Sequence, residues 1–538
     1  MFDTLRDSLF GQAVRLMCQN RILCYPEETA GFDPEEWLQP TSPNDGNSPP
    51  SRVITMSQVT IEIGSTSCDT NRLPRSFRQN STVNAGYYLV GWYGDDDPEN
   101  PRNWSLTKKL ALYAMICVYA FCVYLGSSIY TASTAGVMKE FGVNYVQATL
   151  GLAMYILGYG IGPLLWSPLS EIPAVGRTPP YVLTFAVFVG LCVAAAMTKS
   201  FGGLCISRFL MGFFGSPALT TGAATFQDMA PTLGPAIGPV VAGFSVPREG
   251  WRWSQWEMLW FAGPLLVCLF IFLPETNPEN ILMHRAQRLR RITGRTNIKS
   301  ESEIKQSHMS PREIVYYALI KPWEINALDP SVLFTTIYIS LVYATFYSFF
   351  ESFPLVYPVI YGFNEGQTGL AFMSVIVGLA ISIPAYCIYY YFWVEPRVLK
   401  DGWGEPEDRL KPAIFGSYMI PVGVFIFAWT TRHNIHWMPS IVGVGINNAG
   451  QFLILQPVFM YLTMTYPQFA ASLMAANDFA RSALAAGAVL VSRPMFTHLG
   501  VPGGVSLLGG LNVICIGGVY IMYYLGPKLR ARSRFAAT

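Results

Sequence analysis

The sequence predicts an all-α polytopic membrane protein, with twelve transmembrane helices arranged as two six-helix bundles and a shortened fifth helix. Three observations predict it. Hydrophobic residues make up 51% of the 538 and charged residues only 13%, where soluble chains carry about 25% charged residues. Apolar runs of about 20 residues, the length that crosses ~30 Å of hydrocarbon as a helix, recur along the chain. The basic residues gather at three places, which fixes how many times the chain must cross. A net charge of +2 gives no footing for a nucleic-acid partner. The ten cysteines show no paired spacing, and seven of them, Cys117, Cys122, Cys192, Cys205, Cys268, Cys387 and Cys515, sit in apolar runs as small hydrophobes. No metal site and no cofactor are expected.

Residues 1–106 read as a cytosolic N-terminal tail. Its start has acids early and no continuous apolar core, unlike a secretory signal. Phe2, Leu5, Leu9, Phe10 and Leu16 recur at helical spacing opposite Arg6, Gln12 and Arg15, which predicts a short helix lying on the membrane surface. From Pro40 to Gly94 the chain is rich in Ser, Pro, Asn and Asp, too polar to bury a core, and is expected to be disordered. The sequons at Asn80 and Asn103 should be idle on the cytosolic side.

Eleven spans are clear: Lys108–Tyr130, Gln147–Leu169, Pro180–Thr198, Phe201–Thr225, Trp256–Leu273, Ser331–Phe353, Gln367–Trp393, Lys411–Thr430, Trp437–Leu462, Phe469–Ser492 and Gly503–Leu525. Residues 107–273 and 331–527 would be the two bundles, joined by a central loop, 274–330, and followed by a basic tail, 528–538. Lys108 and Lys109, the loop's Arg285 to Lys321, and Lys528 to Arg534 should all face the cytosol under the positive-inside rule. Each bundle must then hold an even number of crossings, so the short stretch around Gly234 has to cross as well. Pro231–Val246 is 16 residues, about 24 Å at 1.5 Å per residue, and local thinning would cover the rest.

Twelve spans in two sixes, with both termini inside, resemble the plan of major-facilitator transporters, whose halves are parallel repeats. Short motifs carry the resemblance further. GPLLWSPLSEIPAVGRTPPY, from Gly162, resembles the family's first signature loop, with Glu171 in the acidic place and Gly176-Arg177 following. An acid and a cation on a tight turn can form a latch that breaks as the halves rock, although a generic charged loop would look the same. ISRFLMGFFGSPAL resembles the second motif, with Arg208 and Gly212 matching. The resemblance implies proton coupling, the arginine altering the pKa of a nearby acid. An arginine snorkelling to the interface is the alternative. GPAIGPVVAGF, with Gly234, Pro235, Gly238, Pro239 and Gly243, resembles the signature of the antiporter branch, which implies export by proton exchange. Glycines there allow close helix approach and prolines bend the helix.

ENPRNWSLTKK, GWRWSQWEMLWFAG, LPETNPENIL, SFFESFPLVYPVIYGF, ANDFARS and the N-terminal LRDSLFGQ together resemble fungal drug:proton antiporters of the twelve-span type, over nearly the whole chain. One departure stands out. Met229 runs almost directly into Gly234, as if about 15 to 20 residues of a full span were missing. A mispredicted intron boundary or an impaired short variant would each explain it.

Charge inside the membrane points to function. Glu351 lies among Tyr347, Phe349, Phe350 and Phe353, where desolvation favours its neutral form, and ranks first as proton site. Asp478 ranks second because Arg481 lies three residues away on one helix face and can pair with it. Asn447, Asn448, Gln451 and Asn477 offer amides to a bound molecule or to another helix. With Tyr347, Phe350 and other aromatic and Met residues they suggest a pliable, mainly apolar cavity. The expected function is proton-coupled efflux of amphipathic small molecules across the plasma membrane by a monomer, with protons and the bilayer as its other partners. A carrier dedicated to one substrate such as a polyamine, or a chain that no longer transports, would be the alternatives. No Walker A, HExxH or GxSxG pattern occurs in the spans, which leaves ATP drive and intramembrane hydrolysis without support.

Overall fold

In the computed structural model, residues 2–29, 32, 53–55, 88–219, 230–307, 320–402, 404–466 and 470–533 are described. The helices that matter here are α1 (Phe2–Arg6), α2 (Leu9–Met17), α3 (Leu106–Ser128), α4 (Tyr145–Glu171), α5 (Thr178–Met197), α6 (Phe201–Gly215), α7 (Ala230–Glu249), α8 (Trp253–Phe272), α9 (Pro278–Thr293), α10 (Pro330–Tyr361), α11 (Glu365–Ala371), α12 (Met373–Tyr389), α13 (Lys411–Thr430), α14 (Met438–Thr465) and α15 (Ala470–Arg532). Three short strands, β1 (Val53–Thr55), β2 (Tyr88–Val90) and β3 (Ile298–Ser300), make one sheet in which β2 pairs antiparallel with β1 and parallel with β3. The chain forms two compact units, one built mainly from the N-terminal region and α9, the other from the apolar helices.

Among the described residues nine helical stretches are long and apolar enough to cross a membrane. They cover ten of the predicted spans, because the last stretch, Leu473–Arg532, breaks at Gly500, whose φ of 71° and ψ of 158° leave the helical region. The other two predicted spans are α6, 15 residues long, and α7. Helix α7 runs 20 residues, from Ala230 to Glu249, beyond the Pro231–Val246 expected, and so reaches about 30 Å. It carries Pro235, Pro239 and Pro247 within it and stops at Gly250, where φ is +90°. The predicted stretch of the fourth span beyond Leu219, the join at Phe226–Met229 and the sequon at Asn80 lie outside the described residues.

The glycines of α7 sit where it approaches neighbouring segments closely. A Cβ on Gly234 would come within 2.8 Å of the Leu125 backbone nitrogen, one on Gly238 within 2.0 Å of Ser128 Oγ, and one on Gly243 within 2.7 Å of the Glu365 carbonyl oxygen. Helices α13 and α14 meet in the same way, with Gly423 against the Gly443 carbonyl and Gly450 against that of Gly416. Phe349 and Phe353 pack on Phe427 of α13, so aromatic volume fills the space between the glycine contacts.

In the N-terminal unit α1 and α2 form where the surface helix is expected. The polar side of α2 is the one that folds inward: Arg15 is buried, donates to the Leu23 carbonyl and pairs with Glu28 at 2.7 Å. Leu16 and Met17 are 77% and 84% exposed. A guanidinium with carbonyl and carboxylate partners is better satisfied inside than two apolar side chains are outside. Within the stretch expected to be disordered, Val53–Thr55 and Tyr88–Val90 pair as strands. The reason lies in α9, whose Arg285 is fully buried among Glu27 at 3.1 Å, Asp97 at 2.7 Å and Glu99 at 3.0 Å. Arg288 pairs with the same Glu99 at 3.2 Å, and Val90, Ala286, Leu289 and Ile298 form a small core beside them. Burial alone would raise the Asp97 carboxyl, but Arg285 and the N–H groups of Tyr93 and Glu99 hold it below its ordinary value. Glu99 goes the other way: burial outweighs the attraction of Arg285 and Arg288.

Candidate functional site

The site lies in the helical unit, where the Asp478 and Tyr347 singled out from sequence come together with residues that were not. Tyr124 and Ser127 end α3, Tyr159 lies on α4, Tyr343 and Tyr347 are a turn apart on α10, and Asp478 and Arg481 lie three apart on α15. Ser127 Oγ and the Tyr347 hydroxyl are 3.0 Å apart, Tyr159 donates to Tyr347 across 3.1 Å, and the Tyr159 and Tyr343 hydroxyls are 2.9 Å apart. Arg481 donates through Nε to Asp478 Oδ1 at 2.6 Å and through Nη2 to the Tyr124 hydroxyl at 2.9 Å. Its guanidinium also lies 5.0 Å from the Tyr343 ring centre. Asp478 and Arg481 do pair, as their spacing suggested, and the pair then reaches the first six helices through Tyr124.

Arg208 completes the chain from the other side. It is fully buried, which corrects the interfacial alternative. It donates through Nε to the Gly151 carbonyl and through Nη2 to that of Ser127, each at 3.2 Å, and packs over the rings of Tyr155 and Tyr130. Among the described residues no carboxylate pairs with it, so the nearby acid that the second motif led us to expect is not in contact. Its route to the rest of the site is through Ser127, whose carbonyl it binds and whose hydroxyl meets Tyr347. Arg208, Ser127, Tyr347, Tyr159, Tyr343, Arg481 and Asp478 thus form one continuous polar path through an apolar interior. Cation–π and carbonyl contacts offset part of the cost of burying the charge.

Several buried polar atoms at this site have no hydrogen-bond partner among the described residues: Asp478 Oδ2, both amide atoms of Asn477 and Ser482 Oγ, all on one stretch of α15. Unsatisfied buried groups are uncommon and call for an explanation. Gly160 of α4 faces Ser482, a Cβ there coming within 2.5 Å of the serine Cβ, so α4 and α15 cross tightly beside these groups. On α14, Gln451 donates to the Val342 carbonyl at 3.5 Å and Asn448 to its own helix at 2.8 Å, which are packing roles. Both amide atoms of Asn447 are buried without a partner.

Glu351 is buried on α10 and faces the Tyr145 hydroxyl and Arg493, away from the tyrosine path. Phe350 joins the two groups, its ring 5.3 Å from that of Tyr347. Tyr145 and Phe350 also line a cavity of about 740 Å³ whose other walls include Pro239 and Gly243 of the Gly-Pro stretch and Phe372.

At the first signature loop, Gly176 has a φ of +74°, which explains its glycine. No ion pair joins Glu171 to Arg177 among the described residues, and Glu171 is exposed. The carboxylate that fastens the turn is Glu275, which accepts from the backbone N–H groups of Arg177 at 3.0 Å and Thr178 at 3.0 Å. It takes those of Thr276 and Asn277 as well, while Asn280 donates to the Pro173 carbonyl at 2.6 Å. Capping the start of α5 in this way satisfies N–H groups that a helix leaves open.

Apolar helices long enough to cross a membrane, packed around a buried polar path, suit a membrane transporter. The Major Facilitator Superfamily model matches residues 116–490, and the chain belongs to that family. It is 46% identical to the MFS-type transporter pyvG of Aspergillus violaceofuscus over 84% of this chain and 86% of that one. It is 37% identical to the cycloheximide resistance protein of Candida maltosa over 84% and 86%, and 34% identical to fluconazole resistance protein 1 of Saccharomyces cerevisiae over 83% and 85%. Among solved structures, the proton:xylose symporter XylE superposes with a TM-score of 0.54 at 15% identity, covering 78% of this chain and 96% of that one. The human organic anion transporter MFSD10 gives 0.53 at 15%, covering 76% and 99%. These two establish the shared fold alone.

Proposed function

We propose that this chain exports amphipathic small molecules in exchange for protons, by alternating access of two six-helix bundles in the plasma membrane. On this reading all twelve helical stretches cross, α6 and α7 included, both termini lie in the cytosol and the chain works as a monomer. The observation that carries the proposal is the set of unpartnered polar atoms on α15, from Asn477 to Ser482, beside an Asp478–Arg481 pair that is tied to Tyr124 of the first six helices. A carboxylate that can trade its arginine for a proton, next to groups open to a ligand, couples the two occupants through one site. The tyrosine hydroxyls bridge the bundles and have to part when the carrier changes face, so protonation at Asp478 acts on the contact that holds the halves together. Arg208 acts on the same path through Ser127, and Glu351 is a second proton site beside the cavity. The Gly-Pro residues of α7 let it pack on α3 and α11 without side chains between. Relatives named for cycloheximide and fluconazole resistance favour drug-like substrates, and the apolar walls suit them.

The unpartnered amides of Asn447 and Asn477 favour a second reading, a carrier dedicated to one substrate with fixed hydrogen-bonding groups. Accumulation of a fluorescent amphipathic dye, in cells lacking their own pumps, tests the main proposal. Expression should lower accumulation, a protonophore should restore it, and persistence of export after the gradient collapses would overturn proton coupling. Export of a single compound among many would favour the dedicated carrier.

A further inference from the structure

The Arg493 guanidinium lies 3.4 Å from the centre of the Tyr145 ring, a contact between α15 and the first turn of α4. Nothing in the signature motifs points to either residue. Tyr145 is at the same time held from α10, where Glu351 faces its hydroxyl and Arg493 is the charged group nearest that carboxylate. One oxygen of Glu351 has no hydrogen-bond partner among the described residues. One ring from the first six helices is therefore gripped by an arginine and a carboxylate from the last six. Tyr145 and Phe350 are also wall residues of the 740 Å³ cavity, and Phe350 touches Tyr347, the near end of the tyrosine path. The cavity walls are mainly apolar (Phe244, Pro354, Phe363 and Phe372), with Thr131, Thr368, Asn364, Arg248 and Glu365 among the polar groups. That volume and mixture fit a drug-sized amphipathic molecule.

We infer that Tyr145, Glu351 and Arg493 form a gate between the tyrosine path and this cavity, and that the cavity is the vestibule an amphipathic substrate occupies on its way out. The inference rests on the transport reading and extends it to residues outside every motif. A cation over a ring is a directional contact that strengthens when water is excluded, so the grip is firm while the halves are together. It is lost whole when α4 moves away from α10 and α15. Glu351 orients the tyrosine edge-on through its hydroxyl, and Arg493 covers its face, so the ring closes the passage only while both are in place.

The test is thiol labelling from outside intact cells, on the full chain carrying S127C, which places a sulfur in the tyrosine path, with the chain lacking that substitution as background. With the gate intact, a membrane-impermeant thiol reagent should reach the introduced sulfur slowly. R493Q and Y145A should each raise the labelling rate by roughly tenfold, as expected for loss of a desolvated cation–ring contact. R493K, which keeps a cation over the ring and the Tyr145 hydroxyl beside Glu351, should stay near the slow rate and serve as the control for folding and surface amount. Either loosened variant suffices if the other fails to reach the surface. Fast labelling in the S127C parent, or labelling in R493Q and Y145A no faster than in that parent at equal surface amount, would overturn the gate. Labelling needs no substrate, so a chain that exports no dye would fault the transport reading and leave the gate result readable. A failed gate leaves the export result standing.

Discussion

Arg481 donates to the Tyr124 hydroxyl across 2.9 Å while its Nε holds Asp478 at 2.6 Å, so a single guanidinium ties the acid of α15 to α3. Removing one partner of a buried pair leaves a charge without compensation, at about 3–5 kcal/mol. R481Q should therefore lower the amount of protein at the surface sharply. D478N leaves a guanidinium that cannot shed its proton, held only by Tyr124, Tyr343 and the new amide, and should also lower abundance while losing proton-driven export. The double variant D478N/R481Q should recover abundance and still fail to export. Surface immunolabelling beside dye accumulation separates the two effects, and a double variant that exports would remove Asp478 from the mechanism.

The tyrosine path gives a finer test. Y347F deletes the hydroxyl that meets both Ser127 and Tyr159 and leaves the ring in place. Each lost hydrogen bond costs about 0.5–1.5 kcal/mol, too little to unfold the chain. Export should fall several-fold with surface amount unchanged. Y338F, whose buried hydroxyl has no partner among the described residues, should export as the parent does. Equal losses in both variants would mean that the path has no special role.

Much of this architecture is legible in the sequence because a bilayer imposes its own length scale. Spans such as Pro330–Tyr361 show themselves by apolar length, and the Gly-Pro stretch by composition. The path is less visible: Tyr124, Tyr159 and Tyr343 sit in three unrelated helices, and only tertiary packing brings their hydroxyls together. Glu275 lies in the LPETNPENIL stretch, but its role is not legible because the N–H groups it binds at Arg177 and Thr178 belong to a loop far away in the chain. Arg285 reads in sequence as one of the cations that set topology, whereas burial between Glu27, Asp97 and Glu99 makes it an internal cross-link. A charge count along the chain has no means of telling a solvated arginine from a neutralised one.

Helix α7 predicts a sharp contrast between two glycines. A Cβ on Gly238 would lie 2.0 Å from Ser128 Oγ and 2.7 Å from the Ile129 backbone nitrogen, whereas one on Gly263 of α8 meets nothing within 4 Å. The serine can turn away, but the backbone cannot, so G238A should force α7 from α3 at about 1–3 kcal/mol. Thermal unfolding in detergent should show G238A well below the parent and G263A close to it. Equal melting of the two would mean that α7 does not pack on α3 as described.

The N-terminal unit should respond to acid in two opposed steps. Glu99 is held above its ordinary value of 4.5, chiefly by burial, so the folded unit takes up that proton more readily than the unfolded chain. Its protonation on the way down from neutral pH strengthens the unit. Asp97 lies below its ordinary value of 3.8 despite burial, because Arg285 holds the charged form. Its stabilisation is complete above the unfolded value and lost as pH falls through the lower folded one. Amide-exchange protection of Tyr88–Val90, corrected for the intrinsic rate, should rise slightly as pH approaches 4.5 and collapse below 3.8. E99Q should remove the rise and keep the collapse. D97N should begin with weaker protection and lose little more below 3.8, since Arg285 has already lost the partner that acid would take away. Protection in D97N that matched the parent throughout would show that Arg285 is held by Glu27 and Glu99 alone.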